Sequence, residues 1–203
     1  MTDIKVAECF NARAAHYDTP WTTFIGEHEL RKIRPLIPAC STVLDYGCGT
    51  GRVTLDLLQR GCSVTAYDIS TQMQMKAQAK SKKAGFKDDK IEFIYDCNLL
   101  NGRSWSCITC VGVLDYYPDP VAMLTYLKNL LTPAGHLIVS FPNAYSPLGW
   151  LYALGSRATV PATIFTPTKA KQAAYSAGYK LSSVHYAFPS IPFLGLTIIM
   201  DLV

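Results

Sequence analysis

The chain has 203 residues, a length that suggests one domain. Hydrophobic residues make up 49% of it and charged residues 17%, which supplies a large core and excludes a disordered chain. The net charge of +4 is spread along the sequence, so no basic arm indicates a nucleic-acid partner.

Cysteine usage and hydropathy indicate the compartment. The seven cysteines, among them Cys40, are scattered and do not form the pattern of a secreted disulfide framework. We see no signal peptide and expect a cytoplasmic protein. The most apolar stretch, residues 186–203, contains Pro189, Pro192 and Asp201, so we expect a buried loop and strand there and no membrane helix.

Short apolar segments alternate with segments of helical length, which predicts an α/β fold with a mainly parallel sheet. Strands are predicted at residues 41–45, 63–67, 91–95, 107–113, 136–141, 180–187 and 195–202, the last two as an antiparallel hairpin. Helices are predicted at residues 52–60, 71–83, 121–131 and 167–177. Residues 144–164 are predicted to be a cover over the strand ends without regular structure.

A glycine-rich turn follows the first strand. Gly47, Gly49 and Gly51 form G-x-G-x-G directly before a helix, where free N–H groups can receive a ligand. A dinucleotide fingerprint needs its third glycine five positions after the first, and that position is Arg52. The carboxylate of Asp45 would repel a diphosphate and attract an ammonium group. The turn therefore favours an amine-bearing ligand over NAD.

Two more carboxylates follow the next strands. Asp68 closes the second strand 21 residues after Gly47, where an acid can accept hydrogen bonds from a ribose. Asp96 closes the third strand, within reach of an adenine amino group. With Asp45 they form a set of three carboxylates at the strand ends that face the expected ligand crevice, although Asp45 and Asp96, taken singly, could be turn or cap residues.

These residues resemble the class I S-adenosylmethionine-dependent methyltransferases. VLDYGCGTG (43–51) resembles their first motif, AYDIS (66–70) their ribose-binding motif, and YDC (95–97) their adenine-contacting segment. CVGVLDYYPDP (110–120) and LKNLLTPAGHLIVSFPN (127–143) are similar to the fourth-strand motif and to the helix and strand that follow it. FNARAAHYD (10–18) and FTPTKAKQAAYSAGY (165–179) resemble helices of the subgroup that methylates small molecules, including the ubiquinone and menaquinone biosynthesis enzymes.

The resemblance implies a Rossmann-like class I methyltransferase fold with a mainly parallel seven-stranded sheet and a C-terminal antiparallel hairpin. It implies S-adenosylmethionine as cofactor and S-adenosylhomocysteine as product. Asp45 and the glycines would hold the methionine part, Asp68 the ribose, and Asp96 with the Cys97 backbone the adenine. The residues that it assigns to cofactor binding are Asp45, Gly47, Cys48, Gly49, Gly51, Asp68, Ile69, Asp96, Cys97, Val111 and Gly112.

Methyl transfer mainly requires a positioned nucleophile, because the methyl carbon is already activated by the sulfonium. A general base helps when the acceptor is a phenol or a similar group. The candidates are His16, Tyr17, Asp115, Tyr116 and His185. Quinone-pathway enzymes often carry E-x-x-E-H where this chain has Gly112, Asp115 and Tyr116, so we expect no metal site. Cys107 and Cys110 are interpreted as core thiols.

We interpret residues 1–203 as one methyltransferase domain, with N-terminal cap helices in residues 1–35 and the substrate-side cover at 144–164. Both segments are rich in aromatic residues that could enclose an apolar acceptor or complete the core or a dimer contact. The expected partner is a small-molecule methyl acceptor, and a homodimer is possible. Two alternatives stay open: a non-catalytic S-adenosylmethionine-binding protein and a dinucleotide-dependent oxidoreductase, which the glycine spacing disfavours.

Overall fold

The computed structural model describes residues 3–39, 41–117, 119–191 and 194–203, so Cys40, Pro118 and Pro192 lie outside the described residues. The helices are α1 (Asp3–Arg13), α2 (Pro20–Ile33), α3 (Arg52–Gln59), α4 (Thr71–Lys83), α5 (Pro120–Asn129), α6 (Pro147–Ser156) and α7 (Pro167–Ser176). The strands are β1 (Thr42–Tyr46), β2 (Ser63–Tyr67), β3 (Ile91–Ile94), β4 (Trp105–Cys110), β5 (Leu131–Pro142), β6 (Leu181–Ala187) and β7 (Thr197–Leu202).

The strands form one sheet in the order β3-β2-β1-β4-β5-β7-β6. Strands β1 to β5 are parallel to one another, and β7 runs antiparallel to both β5 and β6. The predicted seven-stranded sheet with its antiparallel hairpin is confirmed. Central strands are continuous apolar runs because both faces of the sheet are covered, and Val43, Leu44 and Ile108 are fully buried. The carboxyl ends of β1 to β5 therefore meet along one edge, where open α/β sheets bind ligands.

Helix ends follow the expected capping chemistry. Thr166 caps α7 by accepting a hydrogen bond from the N–H of Lys169, and Pro167 occupies the first helical position. The small-residue stripe of α7 is buried, as its spacing predicts. Ser70 caps α4 in the same way, so the helix begins at Thr71, three residues after Asp68.

The bounds of two strands, β4 and β5, differ by several residues from the prediction. β4 begins at Trp105 and ends at Cys110, so the predicted strand residues 111–113 lie beyond it. β5 begins at Leu131, which pairs with Trp105, and α5 therefore ends at Asn129, two residues before its predicted end. Leu130 caps the C-terminus of α5 and Leu131 already belongs to the sheet, whereas the sequence pattern had placed both in the helix.

The prediction that residues 144–164 lack regular structure is wrong, because residues 147–156 form α6. Ser146 and Pro147 occupy the N-cap and first helical positions, as Thr166 and Pro167 do in α7, but the Ser146 hydroxyl makes no capping hydrogen bond. Gly149 lets the helix approach the preceding loop, since a Cβ placed there would lie 2.1 Å from the carbonyl oxygen of Asn143.

The N-terminal helices are hydrogen-bonded to the loops at the carboxyl edge of the sheet. The side-chain oxygen of Asn11 accepts from the Ser70 hydroxyl (2.7 Å) and from the Gln72 N–H (3.2 Å). The carboxylate of Asp18 accepts from the Thr50 hydroxyl (2.6 Å) and pairs with Lys80 (2.8 Å). The segment predicted as a cap is thus bonded to the glycine turn and to the start of α4.

No helix in the part of the chain that the structure describes combines the length and the apolar character needed to cross a bilayer.

Candidate active site

A cavity opens at the carboxyl edge of the sheet, between α1, the glycine turn and the ends of β2 and β4. The space that atoms leave unfilled there, with the open mouth included, is about 580 Å³. It is lined by Val6, Phe10, Tyr17, Tyr46, Gly47, Gly49, Tyr67, Asp68, Ile69, Met73, Val111, Gly112, Val113, Tyr116 and Tyr117.

The glycine turn needs its glycines for two reasons. Gly47, Gly49 and Gly51 have φ angles of 79°, 53° and 88°, in the left-handed region that side chains disfavour. A Cβ on Gly47 would also lie 2.2 Å from Cγ2 of Val113, whereas a Cβ on Gly49 would meet nothing within 4 Å. Gly47 and Gly49 line the cavity, so the backbone of the turn forms part of its wall.

Asp68 lines the cavity and is held by the backbone on two sides. One carboxylate oxygen accepts from the Gly49 N–H and the other from the Ser70 N–H, both at 2.8 Å. Burial raises the pKa of this carboxyl group to about 6, against the lowering effect of those two hydrogen bonds. Each oxygen keeps a second lone pair, so the group can accept a pair of hydroxyl donors from a ligand.

Asp45 differs from its predicted placement. It is 1% exposed and is absent from the cavity wall, because both of its oxygens accept from threonine hydroxyls, Thr54 at 2.6 Å and Thr109 at 2.8 Å. Burial raises the pKa of its carboxyl group. The carboxylate joins the end of β1 to α3 and β4, and the expectation that it faces the crevice is corrected.

Asp96 is also turned away from the cavity. It is exposed, and its Oδ1 accepts from the N–H and the side-chain amide of Asn98, both at 2.9 Å. Asp96 therefore acts as a cap residue at this turn, which is one of the two roles that the sequence allowed. Cys97 lies on the wall of a second cavity, which holds about 510 Å³ of unfilled space. The two cavities share four wall residues, Tyr46, Tyr67, Ile69 and Tyr117.

The remaining predicted cofactor residues divide into two groups. Val111 and Gly112 line the first cavity and Ile69 lines both, as the resemblance implies. Cys48 is buried in the glycine turn, and Gly51 packs against Ala77, where an added Cβ would lie 2.8 Å from the Ala77 Cβ. Neither Cys48 nor Gly51 belongs to the wall of either cavity.

The catalytic candidates are also divided. Tyr17 and Tyr116 line the first cavity, on either side of Phe10, whose ring meets theirs edge-on at 6.3 and 5.2 Å between centroids. His16 is exposed and outside the wall, and His185 hydrogen-bonds Ser183 on β6. Neither histidine lines either of the two cavities.

Asp115 lies buried behind Tyr116, and a residue that sequence reasoning had not assigned to catalysis connects the two. Tyr152, on α6, donates its hydroxyl to Oδ2 of Asp115, and its oxygen lies 2.6 Å from the hydroxyl of Tyr116. Burial raises the pKa of Asp115 to about 6. The aromatic richness of residues 144–164 was the only sequence signal for Tyr152, because no spacing relates it to Asp115.

A partly buried ion pair lies at the start of α3. Arg52, directly after the glycine turn, pairs with Glu29 of α2 at 2.8 Å, and the other Glu29 oxygen accepts from the hydroxyl of Thr197 on β7 at 2.8 Å. The pair places a cation at the helix N-terminus, where the helix dipole disfavours it, and Glu29 offsets that cost.

Metal-ligand chemistry has no matching geometry in the described ranges, where no three His, Cys, Asp or Glu side chains converge on one point. Cys107 and Cys110 are buried free thiols, and burial raises the pKa of Cys107 to about 12. Their placement in the core matches their interpretation from the sequence.

Comparison with known proteins assigns the chain to a family. A family model described as a methyltransferase domain matches residues 20–184, well over half of the chain. The chain belongs to this methyltransferase family. The match and the sheet order confirm the predicted class I methyltransferase fold.

Curated relatives of this methyltransferase include ubiquinone biosynthesis O-methyltransferases. The protein from Xanthomonas axonopodis pv. citri is 32% identical over 109 residues, which are 53% of this chain and 46% of that protein. The protein from Xylella fastidiosa (strain 9a5c) is 33% identical over 102 residues, 50% of this chain and 42% of that one. The methyltransferase thus matches less than half the length of these relatives.

Solved structures share the fold across nearly the whole chain. Magnesium protoporphyrin IX methyltransferase from Synechocystis PCC 6803, crystallised with bound SAM, has a TM-score of 0.72 at 20% identity, covering 100% of this chain and 97% of that one. A SAM-dependent methyltransferase from Thermotoga maritima, described as a possible histamine N-methyltransferase, has a TM-score of 0.72 at 17% identity, covering 97% and 98%.

Proposed function

We propose that this methyltransferase moves the methyl group of S-adenosylmethionine to an oxygen atom of a small, mainly apolar molecule. The observation that carries the proposal is the first cavity, which joins the glycine turn and Asp68 on one side to aromatic side chains on the other. One ligand can lie along the backbone of the turn while a second meets Phe10, Tyr17 and Tyr116. The choice of oxygen is supported by the O-methyltransferase relatives.

The cofactor side fits S-adenosylmethionine by its hydrogen-bonding groups. Asp68 offers free lone pairs to a ribose diol, and the backbone of Gly47 and Gly49 borders the place where the amino acid part would lie. Adenine would enter the second cavity, beside Ile69 and Cys97. We assign Asp45 an indirect role, because it holds the end of β1 against α3 and β4 and so fixes the turn.

The acceptor side supplies position and water exclusion. S-adenosylmethionine is a substrate that brings an electrophilic methyl carbon, so the chain needs only to align an acceptor oxygen with it and remove its proton. Val6, Phe10 and Tyr17 cover the cavity from the N-terminal side and exclude water. We assign Tyr116 as the group that touches the acceptor, and His16 no catalytic role. The homodimer and the cytoplasmic location stay predictions.

Calorimetry with S-adenosylhomocysteine and with NAD tests the cofactor assignment. We expect S-adenosylhomocysteine to bind and NAD not to bind at the same concentration, because the glycine spacing departs from the dinucleotide fingerprint and the Asp68 carboxylate lies on the cavity wall beside the turn, where it would repel a diphosphate. Binding of NAD alone would refute the proposal. Transfer of a labelled methyl group to a series of small phenols then tests turnover, and cofactor binding without transfer to any acceptor would favour the non-catalytic alternative.

A further inference from the structure

Three side chains form a hydrogen-bonded row from the cavity wall into the core. Tyr116 lines the cavity, its hydroxyl oxygen is 2.6 Å from that of Tyr152, and Tyr152 donates to Oδ2 of Asp115. Asp115 is 1% exposed. The row therefore joins a group that a ligand can touch to a carboxyl group that solvent does not reach.

The direction of donation along the row follows from proton counting. A tyrosine hydroxyl has one proton to donate, and Tyr152 gives its proton to the Asp115 carboxylate. The bond between the two tyrosines must then be donated by Tyr116. In this state the oxygen of Tyr116 has a lone pair left, and it can accept a hydrogen bond from a hydroxyl group in the cavity.

The surroundings of Asp115 favour uptake of a proton. Its Oδ1 is buried, and no hydrogen-bond partner among the described residues reaches it. Burial is the main cause that raises its pKa to about 6, and the negative charge of Glu29 on α2 acts in the same direction. The hydrogen bond from Tyr152 opposes the increase. The carboxyl group is thus mostly ionised at neutral pH and still able to hold a proton.

The two tyrosines transmit a proton without becoming anions themselves. Burial and the nearby Asp115 raise the pKa of both hydroxyls well above the usual value, while Arg13 lowers that of Tyr116 only in part. Tyr17 also faces Tyr116 and raises its pKa. A phenolate on either residue is therefore disfavoured, and Asp115 is the site where the proton comes to rest.

We propose that Tyr152 is a proton-relay residue that passes the acceptor's proton from Tyr116 to Asp115 during methyl transfer. This inference rests on the proposed function. The acceptor oxygen forms its bond to the methyl carbon, and the electron pair of the broken carbon–sulfur bond stays on sulfur. The acceptor's proton moves to the oxygen of Tyr116, the proton of Tyr116 moves to Tyr152, and that of Tyr152 moves to Oδ2 of Asp115. All donations in the row are then reversed, and each tyrosine stays neutral.

The relay assigns a function to α6. Tyr116 and Asp115 both follow β4, whereas Tyr152 comes from a helix more than thirty residues later in the chain. Tyr116 is the catalytic residue in this scheme, because it touches the acceptor. Tyr152 and Asp115 act through it, so they are positioning residues whose effect depends on the acidity of the acceptor.

The first experiment needs no acceptor. Carbon-13 labels on the tyrosine Cζ atoms report the hydrogen bonding of each hydroxyl while the pH is varied through the titration of Asp115. We expect the Tyr116 signal to follow that titration in the unaltered protein and to lose at least about half of its shift in Tyr152→Phe. A Tyr116 signal that follows Asp115 equally in both proteins, or in neither, would overturn the relay.

The second experiment measures methyl transfer to phenols of graded acidity, from 4-methylphenol to 4-nitrophenol. Tyr152→Phe should lower kcat for 4-methylphenol by about 10²-fold, the usual scale of acid–base catalysis, and leave KM for S-adenosylmethionine unchanged. At a pH above the pKa of 4-nitrophenol, the variant should methylate this phenol at a rate within about threefold of the original, because the ionised acceptor has no proton to lose. Asp115→Asn should repeat the pattern and remove the rise in rate near the pKa of Asp115.

Tyr175→Phe serves as the matched control, since this α7 tyrosine is exposed and lies outside both cavities. An equal loss for both phenols in Tyr152→Phe would show a merely structural role and refute the relay. Absence of transfer to every phenol, with S-adenosylhomocysteine still bound, would also refute it. If the unaltered protein failed to bind S-adenosylhomocysteine, the proposed function itself would be refuted.

Discussion

The carboxyl group of Asp68 connects the glycine turn to the N-cap of α4, because it accepts one hydrogen bond from the Gly49 N–H and one from the Ser70 N–H. Asp68→Ala should weaken S-adenosylhomocysteine binding by about 1.5–3 kcal/mol, the range for hydrogen bonds to a charged group. Calorimetry gives the dissociation constant, and circular dichroism checks that the variant folds. An unchanged dissociation constant in a folded variant would remove Asp68 from the ribose site.

Gly47 gives a second prediction at this scale. Gly47→Ala forces a Cβ into Val113 at a φ angle of 79°, so either the turn or the wall of the cavity must move. We expect a loss of stability of about 1–3 kcal/mol together with weaker cofactor binding. Gly61→Ala is the matched control, because φ there is 81° while the added Cβ meets nothing within 4 Å. Equal cofactor binding by both variants would contradict the role of Val113.

The placement of single residues was only partly predictable from sequence. Asp45, Asp68 and Asp96 all follow strands, yet only Asp68 faces the cavity. Asp45 turns inward because Thr54 and Thr109 offer hydroxyls on neighbouring elements, and that pairing depends on the register of β1 against β4. Spacing along one strand cannot reveal which partners the adjoining strands will present.

At the scale of elements, Asn11 and Asp18 hydrogen-bond the N-terminal segment to the start of α4 and to the glycine turn, and we propose that this segment covers the cofactor site. Deleting residues 1–18 should leave some S-adenosylhomocysteine affinity and abolish methyl transfer, because Phe10 and Tyr17 leave the cavity wall. Binding and labelled-methyl assays on the truncated protein measure both effects. Full activity after truncation would rule out the cover.

Asn11→Ala tests the same attachment with a smaller change. It removes an acceptor from Ser70 and Gln72, so we expect the cover to open more often and the rate of transfer to fall, at a stability loss of about 1 kcal/mol. Faster hydrogen exchange of α1 amides, with unchanged exchange in β4, would show that the change is local.

Elements with a clear period and a clear cap were predicted best. α4 and β2 match the predicted ranges, and α7 begins at its predicted cap. α6 was missed because its sequence, PLGWLYALGS, has no polar face to contrast with its apolar residues, and two glycines interrupt it. Its start was readable from Ser146 and Pro147, but only contact with the loop before it explains its position.

For the whole molecule, the buried carboxyl groups give an unusual pH dependence of stability. The pKa of Asp115 is raised from 3.8 to about 6 on folding, so the folded state binds this proton more tightly than the unfolded state does. Its contribution to the free energy of unfolding therefore falls as pH rises from about 4 to about 6 and stays low above that range.

Asp115→Asn should consequently stabilise the protein at neutral pH by about 1–3 kcal/mol while it impairs methyl transfer. The advantage should shrink as pH falls toward the unfolded pKa of aspartate, because the original carboxyl group is then protonated too. Urea unfolding at neutral and acidic pH measures the difference. A variant that is less stable than the original at both values would contradict the effect of burial.

The order of the last three strands affects how the chain is made. β7 lies between β5 and β6 in the sheet but follows both along the chain, so β5 has no partner on that side until residues 197–202 are available. During synthesis on the ribosome, the edge of β5 at residues 137–142 stays open while β1 to β4 can already assemble. An open apolar strand edge is a template for association with other chains. Nascent chains stalled between β6 and β7 should therefore aggregate or recruit chaperones more readily than chains released after β7.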